Sequence, residues 1–231
     1  PQPTRPNDSP HEYWRRIHLF DDGSLLALST TANRAPQGAG LVKLDRESNA
    51  IWSYSGRTHH DFDIDSNGDI FALAHRQRTT SREPVSGMPH LPEKVLGDNV
   101  VRLSPTGRER ERISLLDAMA ESTYAPVLQM HPRTVERPGE TEWDVLHASS
   151  VAVIGPQFAG AHAVADPGDL LLSFRAVDLV AVLDYDRRRI SWATRGAWWQ
   201  PTDADPLPDG DILVFDSNGH GAAGLPSRIL K

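Results

Sequence analysis

The chain has 231 residues, 39% of them hydrophobic and 24% charged, with a net charge of −7 and no basic block of the kind that holds nucleic acid. It contains no cysteine, which excludes disulfides, thiol catalysis and cysteine-based zinc sites, and no apolar run approaching the ~20 residues a membrane helix needs. Its 17 Gly and 18 Pro favour short elements separated by many turns.

In chain order, one form recurs: an acidic or Asn/Pro turn ending in glycine, followed by an apolar strand. It occurs as DDGSLLAL (Asp21 to Leu28), SNGDIFAL (Ser66 to Leu73), DPGDLLLS (Asp166 to Ser173) and PDGDILVF (Pro208 to Phe215). The turn glycines are Gly23, Gly68, Gly168 and Gly210, spaced by 45, 100 and 42 residues. The outer spacings are those of one four-stranded blade each, and the middle one is a blade with a long insertion. A second form follows each of the first three turns: a strand, a polar turn and another strand. It reads GLVKLDRESNAIWSY (Gly40 to Tyr54), NVVRLSPTGRERERI (Asn99 to Ile113) and DLVAVLDYDRRRISW (Asp178 to Trp192). Hairpin A–B followed by hairpin C–D is the four-strand meander of a propeller blade. The expected fold is therefore all-β: a β-propeller of four-stranded antiparallel blades, filling residues 1–231 as one propeller or part of one. A β-sandwich would not require a repeat near 45 residues.

SRIL (Ser227 to Leu230) reads as the start of another C strand, so fewer than four complete blades are visible. Either the chain is a piece of a longer protein or the Pro-rich N-terminal stretch closes a small ring. An insertion at about 114–143 begins with SLLDAMAES, a predicted short helix with Ser114 as its N-cap, and continues as a Pro- and charge-rich loop. A second Pro-rich loop spans Thr80 to Glu93. The chain has no signal peptide, and it starts at Pro1 rather than Met, as it would after a leader had been removed.

Counting from the turn glycines places the unusual polar residues. His60 lies eight residues before Gly68 and Asp61 seven before it; Asp203 lies seven before Gly210. Arg175 lies seven after Gly168, at the end of a B strand, and His147 opens an A strand with about ten extra residues between it and its turn, within GPQFAGAHAVA. The start of A and the end of B meet at one rim, because hairpin strands are antiparallel. In a propeller the A strands are innermost, so these residues gather at the mouth of the central channel. Arginine and histidine there suit an oxyanion and proton transfer, and the expectation is an electropositive pocket in an acidic protein. DIDSNGDI (Asp63 to Ile70) has the opening spacing of a calcium loop, but Ala74 stands where the closing Glu belongs, so a plain hairpin turn is expected. Trp52, Trp192, Trp198 and Trp199 are expected to pack between blades more than to stack a ligand.

At these residues the chain resembles the nucleotide-independent arylsulfotransferase (ASST) family. The stretches that carry the resemblance are THHDFDIDSNGDIFALAH (Thr58 to His75), WDVLHASSVAVI (Trp143 to Ile154), GDLLLSFR (Gly168 to Arg175) and ISWATRGAWWQPTDADPLPDGDILVFDSNG (Ile190 to Gly219). The resemblance implies a six-bladed propeller and transfer of a sulfuryl group from an aryl sulfate ester to a phenol through a sulfated histidine. It implies His60, His147 and Arg175 as catalytic residues, no cofactor, small aromatic sulfates and phenols as partners, and a periplasmic or secreted location. The sequence departs from the family pattern at Ser149, where the family has Asn, and at Thr202, which stands in the place of the family's nucleophilic histidine. Two alternatives to transfer follow: a propeller that binds anionic or sulfated aromatic ligands without turning them over, or an interaction scaffold.

Overall fold

A computed structural model describes residues 12–31, 38–88, 91–129, 143–218 and 224–231. The strands form four antiparallel sheets in chain order, arranged as a β-propeller. The first sheet contains β1 (Glu12–Leu19), β2 (Leu25–Thr31), β3 (Gly38–Leu44) and β4 (Ala50–Tyr54). The second contains β5 (Thr58–Ile64), β6 (Ile70–Thr79), β7 (Lys94–Leu103) and β8 (Glu109–Ser114), with the short β9 (Trp143–Asp144) added in parallel to β7. The third contains β10 (Ala148–Val153), β11 (Leu170–Phe174), β12 (Leu179–Asp184) and β13 (Arg189–Thr194). The fourth has three strands among the described residues: β14 (Pro201–Pro206), β15 (Ile212–Asp216) and β16 (Arg228–Leu230). SRIL is thus a C strand, as expected. The opening EYWRRIHL, which carries no turn signature, completes the first blade as its A strand.

Neighbouring blades are glued face to face by three apolar clusters. Leu26, Leu28, Leu41, Phe62 and Ile70 join the first two blades; Leu73, Val100, Leu146, Leu172 and Phe174 join the second and third; Leu171, Val182, Ala204 and Val214 join the third and fourth. The third blade is covered on both faces, and every residue of β11 and β12 is buried. That is why LLLSF and LVAVLD read as unbroken apolar runs instead of alternating. The terminal blades differ: Tyr13, Trp14, Ile17 and Leu19 of β1, and Phe215 and Ile229 of the fourth blade, are exposed. Trp52 packs against the first interblade cluster and donates its indole N–H to the Pro105 carbonyl, and Trp198 packs against the third and donates to the Asp178 carbonyl.

The A strands β1, β5, β10 and β14 pack side by side in that order, so they line the axis. At β10 and β14, side chains of the preceding blade accept inner-edge N–H groups. Asp61 Oδ2 accepts the Val151 N–H (3.1 Å), Asp63 Oδ2 accepts the Val153 N–H (2.7 Å), and Ser150 Oγ accepts the Ala204 N–H (3.1 Å). The acceptors Asp61 and Ser150 occupy the same register of successive blades, as do Val151 and Ala204.

The additions lie outside these strands. Ser114 caps α1 (Leu115–Ala120) by accepting the Asp117 N–H, and a single 3₁₀ turn follows at Ala125–Gln129. The rest of that insertion, 130–142, lies outside the described residues. The extra residues before Gly168 form α2 (Pro156–Ala161).

Candidate functional site

Every A–B ladder is interrupted at one register. The breaks fall between Trp14 and Arg16, Thr58 and Phe62, Ala148 and Ser150, and Pro201 and Asp203. The residues released from the ladder are therefore Arg15, the run His59–Asp61, Ser149 and Thr202. A bulge of this kind bends the strand and re-aims a side chain, and bulges concentrate beside functional sites. Beside them the backbone enters the left-handed region at Arg57 (φ 58°), His60 (φ 56°), His147 (φ 52°) and Gln200 (φ 57°). Non-glycine residues there persist only where their surroundings hold them. Two of these residues are held at both peptide groups. The His147 N–H donates to Asp144 Oδ1 (3.0 Å) and its carbonyl accepts from the Arg175 N–H (2.9 Å). The Gln200 N–H donates to Asp178 Oδ1 (2.7 Å) and its carbonyl accepts from the Ser217 hydroxyl.

This backbone brings His60, His147 and Arg175 together. The His60 and His147 rings meet edge to face, with centroids 4.9 Å apart. Arg175 is tied to His147 through the backbone and reaches across to the fourth blade, where Nη2 donates to Gln200 Oε1 (3.1 Å). Asp144, held at the rim because β9 lies along the part of β7 that β8 leaves uncovered, accepts from His147 Nδ1 at 2.6 Å. The proton of a neutral His147 then sits on Nδ1 and the lone pair on Nε2. That Nε2 is buried and makes no hydrogen bond among the described residues.

Behind His60, its Nδ1 lies 2.8 Å from His59 Nδ1, and the His59 ring stacks on His75 at 3.5 Å. Burial, reinforced by His59, His147 and Arg15, holds the His60 pKa well below the usual histidine value. Burial, with His75 beside it, pushes His59 down to about 4. His60 and His59 are therefore held neutral, and Arg15 and Arg175 carry the positive charge beside them. On the axis, Asp61 is pushed up to about 7 by burial, against the ion pair with Arg16 (3.2 Å) and the Val151 N–H, and with a further upward push from Asp203. Asp203 is itself raised, by burial and then by Asp205.

Sequence reasoning passed over four participants. Arg15 lies eight residues before Gly23, the same count that places His60 and Thr202. Asp144 stands three before His147 in WDVLH, and Gln200 two before Thr202. His75 follows Gly68 by the same seven residues that separate Arg175 from Gly168.

The family model for arylsulfotransferase (ASST) matches residues 16–205. The chain belongs to the arylsulfotransferase family. In this ASST propeller Ser149 and Thr202 occupy two of the four bulge positions. Among solved structures, this ASST chain is similar to a Bacteroides caccae protein of unknown function, with a TM-score of 0.50 at 10% identity, covering 95% of this chain and 64% of that one. A streptogramin B lyase aligns over 86% of this chain and 74% of its own, at 11% identity and a TM-score of 0.29. The chain thus spans under two thirds of the length of the Bacteroides caccae protein. A search of curated proteins found no match.

Proposed function

We propose that this arylsulfotransferase-family propeller transfers a sulfuryl group from an aryl sulfate ester to a phenolic acceptor at the channel mouth. The observation that carries this reading is the Asp144–His147 pair: the His147 ring lies against His60, its Nε2 is buried without a hydrogen bond among the described residues, and its carbonyl accepts from the Arg175 backbone N–H. Asp144 fixes the tautomer and orientation of His147, as an orienting carboxylate does in other histidine-based sites. His147 Nε2 attacks sulfur; the S–O bond to the aryl group breaks and its electron pair leaves on the phenolate oxygen. Arg175 forks onto the sulfuryl oxygens and balances their charge. The acceptor phenol then attacks the same sulfur, the N–S bond breaks, and its electron pair returns to Nε2. The acceptor's proton passes to the released phenolate, so the exchange balances. Thr202, a weak nucleophile without a base, is left as a lining residue. The periplasmic or secreted location rests on the family resemblance.

Incubation with a chromogenic aryl sulfate and a phenol tests this. Turnover is expected, with His147→Ala losing about 10³-fold or more in kcat and a sulfated His147 peptide recoverable after alkaline quench. No turnover, or turnover that survives both His147→Ala and His60→Ala, overturns the reading. Thr202 favours one other reading, a propeller that holds sulfated aromatics without turning them over. Tight binding of the ester by calorimetry with no phenol released would establish it instead.

A further inference from the structure

Behind the site, three buried groups converge from three strands of the second blade. His59 comes from β5, His75 from β6 and Asp98 from β7, with exposures of 1%, 7% and 1%. His75 and Asp98 are direct cross-strand partners, and the bulge at His59 to Asp61 turns the His59 ring toward them. His59 Nε2 lies 3.2 Å and His75 Nδ1 3.3 Å from Asp98 Oδ1, and the three atoms all fall within 4.8 Å of one another. Yet none of the three makes a hydrogen bond among the described residues. Asp98 Oδ2 accepts the Ala148 N–H (2.8 Å). Beyond these two ion-pair contacts, three converging buried polar atoms are costly to leave without hydrogen bonds.

We propose that His59 Nε2, His75 Nδ1 and Asp98 Oδ1 bind a first-row divalent cation, with zinc as the leading candidate. Two imidazoles and a carboxylate are ligands suited to such an ion. An ion about 2.0–2.1 Å from each donor would see the 3.2 and 3.3 Å edges under angles of roughly 105°, close to tetrahedral. The His59 and His75 rings, stacked within 9° of parallel at 3.5 Å, must turn out of that stack about χ2 before their in-plane lone pairs can both meet one ion. A fourth position remains for water. The site also reaches the mouth: an ion on His59 Nε2 fixes that ring's proton on Nδ1, 2.8 Å from His60 Nδ1. With that contact kept, His60 Nδ1 accepts and the His60 proton sits on Nε2, so the ion sets the hydrogen-bonding sense of His60 without touching it.

The test reads metal, not turnover. The protein is stripped with a chelator, titrated with Zn²⁺ by calorimetry, and its metal content is measured after dialysis. One equivalent is expected to bind and to raise Tm. His75→Ala, with circular dichroism unchanged, is expected to lose that equivalent and the Tm shift; Asp98→Asn serves if His75→Ala does not fold. Nitrogen NMR is expected to show the His59 and His60 tautomers switching on zinc addition. A stripped protein that takes up no equivalent overturns the site. So does a folded His75→Ala protein that retains the full equivalent, which would assign the ion to other residues.

Discussion

Asp61→Asn separates two opposing forces on the propeller axis. Asp61 is 6% exposed, and its carboxylate touches the half-exposed Arg16 on one oxygen and the Val151 N–H on the other. An ion pair whose arginine stays half in solvent contributes about 1 kcal/mol, whereas burying a carboxylate costs several. Burial wins, and the folded pKa stands at about 7 with the help of Arg16 already included. Below about pH 4 the carboxyl is protonated in both folded and unfolded chains and contributes nothing. As pH rises from about 4 to about 7, the unfolded chain releases its proton first, and stability falls. Above about pH 7 the full cost is present, on the order of 4 kcal/mol from roughly three pKa units. Asparagine keeps the shape and the acceptor for Val151 but cannot ionise. Urea unfolding followed by tryptophan fluorescence, from about pH 4 to about pH 8, should find the two proteins nearly equal at the acid end. At the alkaline end the variant should be the more stable by up to about 4 kcal/mol. A gap that stays flat with pH, or a wild type more stable at the alkaline end, would show that the Arg16 pair dominates.

Other substitutions address the mouth and the ring. Asp144→Asn keeps an acceptor for the His147 N–H but presents an amide to Nδ1, which drives the proton to Nε2; kcat for aryl sulfate turnover should fall about 10²–10⁴-fold with little change in KM. An unchanged kcat would remove His147 from the proposed role. Ser150→Ala deletes the hydroxyl shared by Ser173 (2.8 Å) and the Ala204 N–H, and should cost about 1–3 kcal/mol in urea unfolding. A loss under about 0.5 kcal/mol would mean that the third and fourth blades do not depend on it. Thr202→His returns an imidazole to the bulge register of His60, and transfer should rise above wild type; an unchanged rate counts against that register.

The blades were legible because their turns repeat and because the third blade, buried on both faces, spells its strands as apolar runs. β1 was not, since Tyr13, Trp14, Ile17 and Leu19 face solvent and no core periodicity betrays the strand. Counting from the turn glycines put His60, His147 and Arg175 at one rim, and the structure places them there. The same count leads from Gly23 to Arg15. Asp144 reaches His147 only through the parallel pairing of β9 with β7, a contact that no local pattern encodes. Nor does sequence reveal that His75 faces Asp98, because their pairing spans the 14-residue connection at 80–93, whose length hides the register. The long connection at 130–142 lies outside the described residues.

The side-chain clasps along the axis have a consequence for how such a protein can change. Val151, Val153 and Ala204 each depend on an oxygen contributed by the blade before. Adding or deleting one residue within an A strand would therefore strand a peptide N–H in the ring's interior, as well as turning the side chains round. Extra length in this chain, α1 and α2 included, sits in connections beyond those strands. The hub is thus a fixed gauge against which loops can lengthen, and new specificities can be tried at the rim while the spacing of the chemistry stays the same.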